Sequence, residues 1–374
     1  MTRDGDPLLL TPGPLTTTAT VKRAMLHDWG SRDESFIAMT AEVRARLIAA
    51  AGLGEEFTAV PIQGSGTFAV EAMLGTLLDP DAGALILVNG AYGRRMIEIC
   101  RRIGRRTETY AVKETELHDP AEIARLLAAD PDLSHVVAIQ CETTSGILNP
   151  VAEIAAVVAA AGRRLMIDAM SGFGALPLDS NAVSFDALAA SSNKCFQGVP
   201  GLAFVICRIA ALAAAKGRAP FLSLDLHDQW RGFEGNGQWR YTPPTQVLAA
   251  FRQALRDHAD EGGVAARGAR YRRNCAVLIE GMKGLGFEPL LPEALQAPII
   301  VTFRRPNHPN FDFDALYEGM KARGFVIYPG KITEAETFRV GCIGDLDEAD
   351  MRAAVMAAAD SLAEMGADLR GAAA

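Results

Sequence analysis

Short apolar runs bounded by turn-forming residues recur through the first two thirds of the chain. Residues 84–89 (ALILVN), 135–140 (HVVAIQ), 164–168 (RLMID) and 202–207 (LAFVIC) are almost wholly apolar and rich in branched side chains. Each predicts a strand buried on both faces. Between them, residues 96–103, 120–129 and 151–161 carry apolar positions at helical spacing. Asp119-Pro120 and Asn149-Pro150 place proline at or near a first helical turn, where its missing N–H costs nothing. Strands alternating with helices predict an α/β fold, a large domain whose mainly parallel sheet is sandwiched by helices. Ligands of such sheets gather beyond the carboxyl ends of the strands.

The texture changes near residue 260. A long helical stretch is predicted over 244–284, strands over 297–303, 324–328 and 337–342, and a closing helix over 347–364. This second set predicts a smaller α+β domain. The expected division is a large domain over 16–260, with 1–15 and 261–374 forming the small one. No internal repeat, low-complexity tract or Gly/Ser-rich linker interrupts the chain.

Composition narrows the function. The chain has 374 residues, 49% of them hydrophobic and 22% charged, with a formal net charge of -8. That acidic balance argues against broad binding to nucleic acid or to an anionic membrane. The six cysteines form no CxxC pair and sit in apolar runs, which predicts buried reduced thiols and no metal site. No apolar run approaches the ~20 residues of a spanning helix. The opening MTRDGDPLLLTPGP lacks the apolar stretch of a secretory leader, so a cytoplasmic enzyme is expected.

Several residues at predicted strand ends carry chemistry. Asp168 ends the run RLMID, where an acid has no core partner; a simple turn or cap residue is the plainer reading. Lys194 lies in SSNKCFQG, a tight loop of small residues, although most lone lysines are solvated surface charges. Together the two match what a pyridoxal cofactor requires. A lysine amine holds the aldehyde, and a carboxylate keeps the ring nitrogen protonated so that the ring accepts electrons. A partly desolvated lysine near a cation also has a depressed pKa, which makes it a usable nucleophile and base. Ser65, Gly66 and Thr67 lie in a short turn that runs into a helix, where free N–H groups and the dipole favour phosphate; a plain helix cap fits as well. The turn is neither a P-loop nor a dinucleotide fingerprint. Tyr92, just after the strand at 84–89, can stack on a flat ring. Thr143, in ETTSG at 142–146, brings hydroxyls to another strand end.

The ordered set TPGP at 11–14, GSGT at 64–67, NGAYG at 89–93, ETTSG, DAMSGFG at 168–174 and SSNKCFQGVPG at 191–201 resembles the class V aminotransferases of pyridoxal-phosphate fold type I. The resemblance covers essentially the whole chain. It implies an enzyme using pyridoxal 5'-phosphate, with Lys194 as its Schiff-base lysine and Asp168 as the partner of the ring nitrogen. It further implies that Ser65, Gly66 and Thr67 hold the phosphate, Tyr92 stacks on the ring and Thr143 faces its phenolic oxygen. Arg339, in TFRVG, matches the arginine that clamps the substrate carboxylate. The class forms homodimers with the site at the interface, and Thr242 occupies the stretch that reaches the partner's phosphate site. HDWGSRDESF at 27–36, SSNKCFQGVPG and ETFRVGCIGDL at 336–346 narrow the resemblance to members that pass the amino group of 2-aminoethylphosphonate to pyruvate, giving phosphonoacetaldehyde and L-alanine. A dianionic phosphonate wants further donors, for which Arg32 and hydroxyls near Thr16 are candidates. Two other readings stay open: a serine- or alanine–glyoxylate aminotransferase, and a non-catalytic binding protein of the same fold. Desulfuration is disfavoured, because Asn193 rather than histidine precedes Lys194.

Overall fold

A computed structural model describes residues 2–3, 5–179, 182–332 and 335–371. Its centre is a sheet of seven strands: β1 (Phe57–Gln63), β2 (Gly83–Val88), β3 (Arg106–Ala111), β4 (Leu133–Ile139), β5 (Arg164–Asp168), β6 (Ala187–Ser191) and β7 (Leu202–Arg208). They lie in the order β1-β7-β6-β5-β4-β2-β3. All run parallel except β7, which is antiparallel to both β6 and β1. The carboxyl ends of β1, β2, β4, β5 and β6 therefore open on one edge of the sheet.

The four strands with continuous apolar sequence (β2, β4, β5, β7) match the sequence expectation. The other three show why they escape it. β1 contains Pro61 and β3 reads RTETYA, and both are edge strands, where proline and polar side chains are tolerated. β6 is ALAAS, too poor in branched residues to stand out.

Side chains alternate between two cores. Leu85, Leu87, Val136, Ala138, Leu165 and Ile167 face α1 (Glu34–Ala50), α4 (Pro120–Ala129), α5 (Val151–Ala160) and α7 (Thr245–Asp260). Ala84, Ile86, Val88, Val137, Ile139 and Met166 face α2 (Gly66–Leu77), α3 (Ala91–Arg102) and α6 (Leu226–Asn236). Pro120 opens α4, and the Asp119 side chain caps it by accepting from Ala121 N.

The stretch 244–284 is two helices rather than the single one expected. Gly262 and Gly263, with φ of 108° and 69°, stop α7 and start α8 (Gly263–Gly284), a backbone path that side chains with a Cβ rarely take. A third core joins α8, α9 (Phe313–Ala322) and α10 (Glu348–Met365) to β8 (Ile300–Arg304). The expected strand at 324–328 is divided. β9 (Phe325–Val326) pairs in parallel with the N-terminal strand Asp6–Leu9, whereas β10 (Tyr328–Pro329) pairs with β11 (Thr337–Gly341). Leu8 and Leu10 thereby enter the core of the C-terminal elements. All six cysteines are buried and free. No helix among the described residues is long and apolar enough to cross a membrane.

Phe204 of β7 is fully buried, with its ring stacked 5.8 Å from that of Phe251 in α7. Replacing it with alanine leaves a cavity, and Phe204→Ala is expected to cost ~3–5 kcal/mol in denaturant-induced unfolding.

Candidate active site

Beyond the carboxyl edge of the sheet lies a cavity of about 330 Å³ lined by Gly13, Pro14, Ser65, Gly66, Thr67, Tyr92, Arg95, Asp168, Ser191 and Lys194, among others. Three roomier cavities, of about 390, 560 and 910 Å³, contain neither Lys194 nor Asp168. Volume alone would select the wrong place; the residues with chemistry select this one.

Asp168 is the last residue of β5 and is 6% exposed. Its Oδ1 accepts from Met170 N at 2.9 Å, and Oδ2 accepts from no described residue. Burial raises its pKa to about 6, against the Met170 bond, and Glu142 nearby adds to the rise. Lys194 follows β6. Part of its side chain stays open to the cavity, but its ammonium is deep, donating to Pro12 O at 2.7 Å and Gly13 O at 3.1 Å. Burial lowers its pKa to about 8, assisted by Lys331 and Arg339 and opposed by Cys195 and Asp168. The TPGP segment explains how the two carbonyls get so close. A Cβ on Gly13 would stand 2.6 Å from Lys194 Cδ, and its φ of 109° suits glycine.

The lysine loop is also fixed from behind. Gln197 takes a left-handed φ of 62°, rare for a residue with a side chain. Its N–H donates to Lys194 O at 2.8 Å, while Nε2 donates to Tyr271 Oη at 2.6 Å and Gly344 O at 2.5 Å. Arg267 Nη1 donates to Cys195 O at 2.6 Å. Arg267 and Tyr271, both in α8, are buried. No local motif signals these ties.

Ser65 is the N-cap of α2, but its side chain makes no capping bond. Gly66 abuts Met170 so closely that a Cβ would lie 2.3 Å from the sulfur. Thr67 Oγ1 accepts from Arg95 Nη1 at 3.0 Å. Tyr92 lies in the first turn of α3, and its N–H donates to Glu142 Oε2 at 3.2 Å. The Arg95 guanidinium lies 4.9 Å from the Tyr92 ring centroid. Glu142 is fully buried, with a pKa raised by desolvation. Its Oε1 takes bonds from Thr144 N and Oγ1.

Thr143 and Arg339 are buried beside each other, outside the residues that line the cavity. Arg339 Nη1 donates to Thr143 O at 3.0 Å, and Nε donates to Pro329 O at 3.0 Å. Thr242 and Arg32 are exposed and do not line the cavity in the single chain. The Thr16 hydroxyl is engaged, accepting from Leu9 N at 2.8 Å.

The profile of the family described as aminotransferase class V matches residues 17–319. The chain belongs to the class V aminotransferases. It is 53% identical over 96% of its length to a 2-aminoethylphosphonate–pyruvate transaminase of Pseudomonas fluorescens, covering 98% of that protein. It is 52% identical over 97% of its length to the protein of the same name from Rhizobium meliloti, covering 95% of it. Among solved structures, pyridoxamine–pyruvate aminotransferase from Mesorhizobium loti superposes with a TM-score of 0.88 at 24% identity, covering 98% of this chain and 94% of that one. Alanine–glyoxylate aminotransferase from Nostoc sp. does so with 0.88 at 23% identity, covering 96% and 95%. The fold is thus that of the pyridoxal-phosphate aminotransferases, fold type I.

Class V aminotransferases work with pyridoxal 5'-phosphate, and the cavity fits that group. The turn before α2 lines the cavity at a helix N-terminus, and the Ser65 hydroxyl is unused by the cap. Ser191 Oγ lines the cavity, buried and without a partner among the described residues. Asp168 keeps Oδ2 for a donor such as a protonated ring nitrogen.

The lowered pKa of Lys194 sets a pH dependence. Below about 8 the amine is protonated and unreactive; above it the free amine is present, well short of the ordinary lysine value of 10.5. The rate at which cofactor-free protein takes up pyridoxal phosphate, followed by visible absorbance, should climb as pH passes about 8. A rate that climbs only near 10.5 would contradict the burial argument.

Proposed function

We propose that this aminotransferase passes the amino group of 2-aminoethylphosphonate to pyruvate, yielding phosphonoacetaldehyde and L-alanine. The observation that carries the chemistry is the meeting of Lys194, Asp168 and the Ser65–Thr67 turn in one cavity. The donor is suggested by relatives of that name at 53% and 52% identity.

In this reading Lys194 bonds to the cofactor, Ser65, Gly66 and Thr67 hold its phosphate, Tyr92 stacks on its ring and Thr143 faces its phenolic oxygen. When bound, the cofactor supplies an electron-accepting ring that spreads the negative charge left on the substrate carbon. Lys194 Nζ, when not bonded to the cofactor, would be the base that takes the proton from that carbon and the acid that delivers it to the cofactor's side. Its lowered pKa suits both transfers. Asp168, inclined to hold a proton when alone, would be a carboxylate beside a cationic ring nitrogen and would keep that nitrogen charged. Arg339, already oriented by Pro329 O and Thr143 O, offers its remaining N–H groups to the carboxylate of pyruvate and to the phosphonate in turn.

The division into a 16–260 domain and a domain of 1–15 with 261–374 belongs to this proposal, as does a cytoplasmic homodimer with the site at its interface. Thr242 and Arg32 would then act on the partner's site. Ser65 is exposed in the single chain, and exposed apolar side chains stand beside the relevant stretches: Phe68 after the phosphate turn (49%), Tyr241 before Thr242 (43%) and Leu26 (85%).

Three measurements test the reading. Wild-type protein loaded with cofactor should form alanine from 2-aminoethylphosphonate and pyruvate in a coupled assay; turnover with serine and glyoxylate, and none with the phosphonate, would replace the donor. Lys194→Ala should lose the visible absorbance of the protein-bound cofactor, and turnover should fall by at least ~10²–10⁴-fold, the usual worth of a positioned acid–base group. Arg339→Ala should raise KM for both substrates by ~10-fold or more, as expected for a lost charge-assisted pair.

A further inference from the structure

The anion pocket must serve two unlike ions. Pyruvate presents a planar carboxylate with one charge. The donor, if the proposed reaction is right, presents a tetrahedral phosphonate that carries a second charge near neutral pH. One guanidinium, that of Arg339, matches the single charge of the first ion but leaves the second ion one charge short. Its Nε and Nη1 are committed to Pro329 O and Thr143 O, so its position is fixed, and Nη2 has no acceptor among the described residues.

A second cation comes close from the same hairpin. Tyr328 of β10 pairs with Arg339 of β11, and the chain leaves β10 through Gly330 to Lys331. The Lys331 ammonium stands 3.5 Å from Tyr92 Oη and 5.2 Å from the centre of that ring. Tyr92 itself lines the cavity. Lys331 thus meets a residue that lines the cavity, and both Lys331 and Arg339 help to lower the pKa of Lys194. Lys331 makes no ion pair with any described carboxylate. The other nearby cation, Arg95, is engaged with Thr67 at the phosphate turn. Asp168, which lines the cavity, and Glu142, which acts on Arg339, are both buried, and Glu142 is occupied by Thr144 and Tyr92.

We propose that Lys331 is a specificity-determining residue whose ammonium supplies the second positive charge that a phosphonate needs and a carboxylate does not. This inference rests on the phosphonate reading of the donor. Lysine fits this role because a compact charge on a flexible stem, with three donors, can approach a tetrahedral anion that Arg339 already holds. While the smaller carboxylate is bound, the same side chain can remain against Tyr92.

The test is Lys331→Met, which keeps the apolar stem and removes the charge, alongside Lys331→Arg. In the cofactor-loaded enzyme, Lys331→Met should raise KM for 2-aminoethylphosphonate by ~10-fold, about what one lost charge-assisted hydrogen bond gives, while KM for pyruvate stays within about twofold. Lys331→Arg should recover much of the difference. An unchanged visible spectrum shows that each variant folds and holds cofactor. The second readout is binding of methylphosphonate and of acetate, titrated by the shift in that spectrum. Methylphosphonate should weaken by ~10-fold in Lys331→Met and acetate should hardly change. Equal weakening of both ions, or of neither, overturns the proposal. Wild-type enzyme that ignores 2-aminoethylphosphonate would sink the donor assignment; the methylphosphonate-to-acetate ratio would still decide whether Lys331 selects for the tetrahedral anion.

Discussion

The cavity takes its character from removing an amine and a carboxyl group from water at neighbouring strand ends. Desolvation favours the uncharged form of each, so Lys194 is held low and Asp168 high. Neither has a full counter-charge of its own. Lys194 has two backbone carbonyls and Asp168 one backbone amide. A site built this way has its amine near its reactive state around neutral pH, and its acid lacks a cation that the cofactor ring can provide. The same low-dielectric surroundings make the cations Arg339 and Lys331 influential at Lys194.

The sheet makes this arrangement possible. Six parallel strands bring their carboxyl ends to one edge, and five of them contribute one component each: the Ser65–Thr67 turn after β1, Tyr92 after β2, the Glu142–Ser145 cluster after β4, Asp168 at the end of β5 and Lys194 after β6. The two flanking cores keep these ends at fixed spacing. The C-terminal elements brace the lysine loop from behind through Arg267, Tyr271 and Gly344 and place Arg339 against Thr143. The active site is therefore a joint between separately packed regions, as ligand sites often are.

Sequence reveals those parts of this design whose causes are local. β2, β4, β5 and β7 are legible because they are buried on both faces and so nearly continuous in apolar residues. The edge strands β1 and β3 and the alanine-rich β6 carry no such mark. The turn at Gly262-Gly263 breaks a helical pattern that otherwise runs on, since glycine can be accommodated within helices. Asp168, Lys194, the Ser65–Thr67 turn and Tyr92 are legible because each sits in a short motif at a strand end. Gln197, whose partners lie 74 and 147 residues away, is not. Nor is Lys331, an isolated lysine that folding brings to Tyr92 across 239 residues. Thr242 and Arg32 are exposed and away from the cavity, and nothing local in their sequence ties them to it.

The ties behind the lysine loop have a consequence of their own. Gln197 joins the backbone beside Lys194 to the Tyr271 side chain of α8 and to the carbonyl of Gly344, while Arg267 grips Cys195 from the same helix. Loosening of the C-terminal core must therefore disturb the peptide that, in the proposed reading, would carry the cofactor. A chromophore bound to Lys194 would then be an internal gauge of that core's integrity, sensing damage to packing far from any substrate.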